Sequence, residues 1–261
     1  ASGGTIEVTN NGSFNVPDND KISVTDYHLV YSDDVDTTYT AGPELNTSAT
    51  ILSLTVKDTD TGTAGTPKVQ LPNADVTVVD LVLDNGVVYI NTTAQSRTLT
   101  VTGNATFIGV GNVEAGAGNP GTLAFAGSSA QTFTVPSGGL KFAQDSPDAV
   151  HLQINNAAGV TLAGGSLEMG AGGNLILTEG LLKTGESNWI DLDDVAEVVR
   201  TNGAIQGNVR TDTLSAISGI ASVSFDHLGT YTNGTAYLRK VKISADDFDD
   251  FAAQNVTELI V

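Results

Sequence analysis

The chain has 261 residues, 40% of them apolar, with 29 glycines, no cysteine, and 11 basic against 30 acidic side chains for a formal net charge of −19. That charge repels polyanions, which excludes nucleic acid and anionic membrane surfaces as partners. The absence of cysteine rules out disulfides and thiolate metal centres, and no apolar run approaches the ~18 residues of a membrane-spanning helix, so membrane insertion is not expected.

Residues 1–48 are acidic and rich in threonine. Alternating segments at residues 5–8, 21–24 and 27–31 predict short strands, and the region reads as an N-terminal β cap. Residues 1–20 contain no Lys or Arg. Within them Thr5, Ile6 and Val8, then Phe14 and Val16, alternate as strands with no clear partner strand, the kind of edge that recruits another chain. A start at Ala1 fits a chain from which an export signal has been removed.

From residue 49 to 192 apolar centres recur about every 8–12 residues, separated by Gly and Asn, which is the punctuation of short strands and tight turns. Leu52/Leu54/Val56, Val79/Leu81/Leu83, Leu99/Val101 and Leu123/Phe125 are examples, with Asn85-Gly86, Gly103-Asn104 and Gly164-Gly165 among the breaks. An imperfect repeat relates Val69-Gln-Leu-Pro-Asn to Thr134-Val-Pro-Ser-Gly, each preceding an apolar strand, and predicts a unit of roughly 65–75 residues. Short strands with Asn at the corners predict an all-β fold, a parallel β-helix or solenoid over 49–192. β-sandwich domains are the alternative, because Asn-Gly pairs also make hairpins. In the solenoid Leu152, Ile154, Val160 and Leu162 face inward and His151 outward. The pattern fades over residues 193–261, read as a C-terminal β cap. There residues 203–210, 221–225, 236–243 and 256–261 predict strands, residues 244–251 a short helix, and Leu259, Ile260 and Val261 a second unprotected edge.

Three phrases stand together: G-T-L-A-F-A-G-S-S-A-Q-T-F-T-V from Gly121, H-L-Q-I-N-N-A-A-G-V-T-L from His151 and N-L-I-L-T-E-G-L-L-K-T-G from Asn174. A-I-Q-G-N-V-R from Ala204 follows them. Over residues 121–210 the chain resembles the large repetitive surface and secreted adhesin-like proteins of Bacteroidetes. It departs from them at Trp189 and at Asp191-Leu-Asp-Asp. The resemblance implies an exported, extracellular or cell-surface protein and names no ligand.

Catalytic patterns are sparse. His28, His151 and His227 show no metal-binding spacing, Ser128-Ser129 lacks the flanks of a nucleophile elbow, and the glycines of 109–118 precede no Lys-Ser/Thr pair. Asp191, Asp193 and Asp194 followed by Arg200 form the one constellation a polysaccharide lyase would use. Hard oxygen ligands in turns suit calcium, with Asp58 and Asp60, or Asp191, Asp193 and Asp194, as ligands, and with Asp18 and Asp20, Asp33, Asp34 and Asp36, and the acids of residues 246–250 as further candidates. None of these groups satisfies an EF-hand loop. Sequons begin at Asn11, Asn46, Asn91, Asn104, Asn233 and Asn255. These residues predict no enzyme. They predict a non-catalytic extracellular structural or adhesive protein that assembles by strand addition into a fibre or matrix, with its own copies and surface glycans as partners. A carbohydrate-binding module or a β-helix lyase is the alternative.

Overall fold

A computed structural model describes residues 3–9, 26–34, 38–45, 49–59, 66–91, 95–116, 118–142, 148–192 and 197–211. The described chain is all-β, with no helix, and its parallel strands stack as a β-solenoid of about seven turns. Strand β1 (Gly4–Thr9) leads in, and β2 (Asp26–Asp33) with β3 (Thr38–Thr40) make the first turn. β4 (Thr50–Asp58) and β5 (Lys68–Gln70) make the second, β6 (Val76–Asp84) and β7 (Val87–Tyr89) the third. Three strands each form the next turns: β8 (Thr98–Val101), β9 (Ala105–Ile108) and β10 (Asn112–Glu114); β11 (Gly121–Phe125), β12 (Gln131–Thr134) and β13 (Leu140–Lys141); β14 (Val150–Asn155), β15 (Val160–Ala163) and β16 (Leu167–Met169). β17 (Asn174–Glu179) and β18 (Leu181–Leu192) complete the seventh, and β19 (Glu197–Arg200) and β20 (Ala204–Thr211) begin another.

The turns stack in three rows. One runs β6–β8–β11–β14–β17–β19. A second runs β6–β9–β12–β15–β18–β20, the long β6 and β18 bending across two rows. The third holds β3–β5–β7–β10 and, beyond it, β13–β16–β18. Every pairing between named strands is parallel, and β1 and β2 enter the stack in the same sense. The N-terminal segment therefore continues the solenoid, and β1, expected to lack a partner, pairs along its length with β2 from Gly4↔Tyr27 to Thr9↔Ser32. A sandwich would need antiparallel partners; among the described residues the single antiparallel bridge is Lys57↔Asn85.

Alternation explains the core. In each row one residue of every pair points inward, so apolar side chains stack on their counterparts in neighbouring turns. Leu99, Leu123, Leu152 and Leu175 make one such column, each fully buried. Leu152, Ile154, Val160 and Leu162 all face the interior, as alternation predicts, at 0–2% exposure. Phe133 meets Phe107 edge-on at 5.1 Å and Phe125 at 5.2 Å, filling the middle of the stack.

The repeating unit is one turn, not 65–75 residues. Register partners lie from 19 positions apart, at Val69↔Val88, to 30, at Tyr39↔Val69. The two phrases that suggested the longer repeat are not equivalent in space, since Leu81 and Leu83 stand in the second row and Leu152 and Ile154 in the first. Corners carry the polar residues. Asn85 adopts φ +54° and accepts from the Val110 amide at 3.1 Å, so Asn85-Gly86 turns a corner instead of closing a hairpin. Asn156 donates to the Ser129 carbonyl and to Gln131 Oε1 one turn below, satisfying acceptors that a buried corner would otherwise orphan. The predicted strands at 221–225, 236–243 and 256–261 and the helix at 244–251 lie outside the described residues.

Candidate functional site

The chemistry gathers at the N-terminal end. β2 places Tyr27 and Tyr31 on its inward face by alternation, and β3 adds Tyr39, so three of six tyrosines meet in the first turn. Around them stand two acids out of reach of solvent, Asp33 and Glu44. Tyr31 donates to Glu44 Oε1 at 2.6 Å and the Gly42 amide to the same oxygen at 2.8 Å, while Tyr27 donates to the Glu44 carbonyl at 2.5 Å. Tyr39 donates to Asp33 Oδ2 at 2.8 Å, and the Asp34 amide to Asp33 Oδ1 at 2.8 Å. The Tyr31 and Tyr39 rings lie 5.4 Å apart. Burial, reinforced by the Glu44 carboxylate, pushes the Tyr31 hydroxyl far above its ordinary range. Hydroxyl and amide donors thus solvate both acids internally. Neither acid was foreseen as buried; the signal available was the bunching of Tyr27, Tyr31 and Tyr39 beside acids.

β1 is tied to this end from outside. Glu7 accepts from the Ser32 hydroxyl at 2.8 Å and pairs with Lys57 at 3.5 Å, which together hold its carboxyl below the usual range. Thr5 is exposed, Ile6 half-buried and Val8 buried against the core. Phe14, Val16, Leu259, Ile260 and Val261, the other residues assigned to assembly, lie outside the described residues.

One outward column crosses the whole stack. Thr5 registers with His28, His28 with Ser53 and Ser53 with Asp80. Asp80 accepts from the Asn104 amide at 2.7 Å and Asn104 from the Thr132 amide at 2.8 Å. Thr132 registers with Thr161, Thr161 with Lys183 and Lys183 with Gln206. His28 Nδ1 stands 2.8 Å from Ser53 Oγ. His151 belongs to another column; its Nδ1 accepts from the Asn174 amide at 2.9 Å, and burial lowers its pKa.

Asp58 ends β4 in register with Asp33, and Asp191 registers with Glu168 in the third row. Asp60, Asp193 and Asp194 lie outside the described residues, and among the described residues no three acids or histidines converge as a metal cage. Arg200 stands in the first row opposite Leu177 and donates from Nε to the Gly203 carbonyl at 2.8 Å. The Asn91 sequon is also misplaced for modification. Asn91 is fully buried, bonded to Gly116 and Asn119 one turn on, whereas Asn104 is exposed at a corner.

Comparison with protein-family models, with curated proteins and with solved structures finds no match to this chain.

Proposed function

We propose that the chain is a non-catalytic structural or adhesive module of an extracellular or cell-surface fibre or matrix, one that associates with copies of itself. The observation that carries this reading is the unbroken parallel stacking from β1 to β20, with apolar ladders running along the axis. Such a stack is a stiff rod whose turns contact only their neighbours, suited to spacing and to presenting long, flat faces. The second-row exterior supports it. Glu7 opens an outward column that continues without charge through Val30, Thr55, Val82, Thr106 and Thr134 on a molecule of net charge −19.

Negative-stain microscopy of the purified chain across a salt series tests the reading. Filaments or strings of rods are expected; dispersed single particles at every salt concentration overturn it.

A glycan-binding role has one observation of its own. Thr40, Gln70, Tyr89 and Glu114 share an outward column of the third row, with the Lys68 ammonium 5.9 Å from the Tyr89 ring centroid. An aromatic ring flanked by amide, hydroxyl and carboxylate groups is the chemistry that holds sugars. Affinity electrophoresis in gels containing soluble polysaccharides should retard the protein less after Tyr89→Ala, and equal mobility of both proteins in every gel removes this reading.

A further inference from the structure

β9, β12 and β15 stack at the middle of the second row, and none of the three carries a charged residue. Alternation turns Thr106, Thr132, Thr134 and Thr161 outward, with Asn104 at the corner before β9. Asn104 and Thr161 are exposed and Ile108 is 45% exposed, so this face is open to solvent. On a chain of net charge −19, a neutral face is where a second copy approaches against least repulsion.

The borders of this face carry opposite charges at equal distances. Along one outward column Thr132 has Asn104 and then Asp80 on one side, and Thr161 and then Lys183 on the other. Turns lie about 4.8 Å apart, so each charge stands about 10 Å from Thr132. Among the described residues neither Asp80 nor Lys183 is in an ion pair. Asp84, at the corner end of β6, accepts from Asn85 Nδ2 at 3.3 Å.

A two-fold axis through Thr132 and parallel to the strands lays this face on its own copy with the solenoid axis reversed. Asp80 then faces Lys183 of the partner subunit, and does so twice in one contact. With the solenoid axes parallel, Asp80 would meet Asp80 and Lys183 would meet Lys183. The charge pattern therefore selects the antiparallel arrangement. Resting on the self-association proposed above, we propose that two copies pair face to face through β9, β12 and β15 with antiparallel axes. The contact is isologous, so it closes at two copies and joins rods side by side.

Charge exchange tests it. Asp80→Lys sets lysine opposite lysine, and Lys183→Asp sets aspartate opposite aspartate. Each variant alone should bind itself about tenfold or more weakly than wild type, read by sedimentation velocity in moderate salt. An equimolar mixture restores both pairs and should associate as wild type does. Variants that self-associate as tightly as wild type, or a mixture of the folded chains that stays monomeric, overturn the pairing. Asp80→Asn keeps an acceptor for the Asn104 amide, so the fold is retained, and pairing should weaken severalfold; unchanged affinity refutes the role of Asp80. The chain has no cysteine, so Thr132→Cys introduces a single thiol on the axis. Facing sheets pack about 10 Å apart, beyond disulfide reach, and a bis-maleimide of about that span should link the Thr132→Cys chain to itself. Thr40→Cys, exposed in the third row, should stay unlinked, and equal linkage of the two refutes the contact. Filaments that persist unchanged in the Asp80→Lys chain sink this contact and leave self-association intact. A charge-dependent dimer without filaments keeps the contact and removes the fibre reading.

Discussion

Tyr31, Tyr39, Asp33 and Glu44 show at the residue scale how this chain keeps acids away from water. A carboxylate without solvent is costly unless hydrogen bonds replace its hydration, and here tyrosine hydroxyls and backbone amides replace it. Tyr31→Phe removes one donor while the acid stays buried and should destabilise the fold by about 1–3 kcal/mol, read from a urea midpoint. A shift as small as that of an exposed substitution would show Glu44 to be solvated some other way. The same site dictates a response to alkali. The folded state holds Tyr31 neutral well above its ordinary pKa, whereas the unfolded chain ionises near pH 10. The stabilisation is therefore complete below about pH 10 and falls away as pH rises further. The Tyr31→Phe chain should lose this dependence; an identical alkaline slope in both proteins contradicts it. His151 acts at the other end of the scale, because burial lowers its pKa. The unfolded chain takes up the proton from about pH 6.5 downward, so that stability is present above this value and declines as pH falls through it. His151→Gln keeps an acceptor for Asn174 without titrating, and its melting temperature should vary less than the wild type's between pH 7.5 and 5. The inward-facing Leu152, Ile154, Val160 and Leu162 were legible in the sequence because alternation is a property of the strand itself. Asp33 and Glu44 were not, since an acid beside a turn reads as solvated until the partner that buries it is known, and the tyrosine partners lie 6 to 17 positions away.

Single strands and corners carry the next level of the argument. Parallel pairing and burial of one face fix the interior so strictly that Leu152→Ala should cost about 2–5 kcal/mol through lost contacts and a cavity. A change in melting temperature no larger than that of an exposed substitution would place Leu152 outside the core. Corners are fixed by backbone instead. Gly180 turns from β17 into β18 with φ +80°, and a Cβ there would stand 1.7 Å from the Asn156 carbonyl oxygen. Gly180→Ala should therefore destabilise by about 1–3 kcal/mol or more. Gly138→Ala, where a Cβ meets nothing within 4 Å, should stay within about 0.5 kcal/mol of wild type. Equal melts for the two variants would mean that Gly180 is not under constraint. The corners also explain what the sequence obscured. Each turn needs apolar residues inside and a compact corner, but corners differ in length, so successive turns drift out of phase in the sequence while remaining in register in space. Asn85-Gly86 carries the signature of a hairpin, and only pairing of β7 with β5 shows that the chain advances instead of folding back. The β1 strand was legible from its alternation, and its partner was not, because parallel partners are separated by a whole turn.

Across the whole molecule the dominant quantity is the net charge of −19, on a chain whose described turns hold only their neighbours. Self-repulsion of that size weakens the compact state and opposes the approach of a second copy, and added salt screens both effects. Melting temperature and filament length should therefore rise together as sodium chloride is increased, with no specific ion required. Calcium is distinguished by what it adds beyond screening. If Asp58 and Asp60, or Asp191, Asp193 and Asp194, bind the ion in the folded state alone, mass action adds about 2.7 kcal/mol when free calcium is about a hundredfold above Kd. The expected result is a higher melting temperature in calcium chloride than in sodium chloride of equal ionic strength, reversed by chelator. Asp58→Asn and Asp191→Asn then divide the gain between the two groups, since an amide keeps one oxygen ligand and loses the charge that attracts the ion. Coincident melts in the two salts would leave screening as the whole of the ionic response and take calcium out of the account.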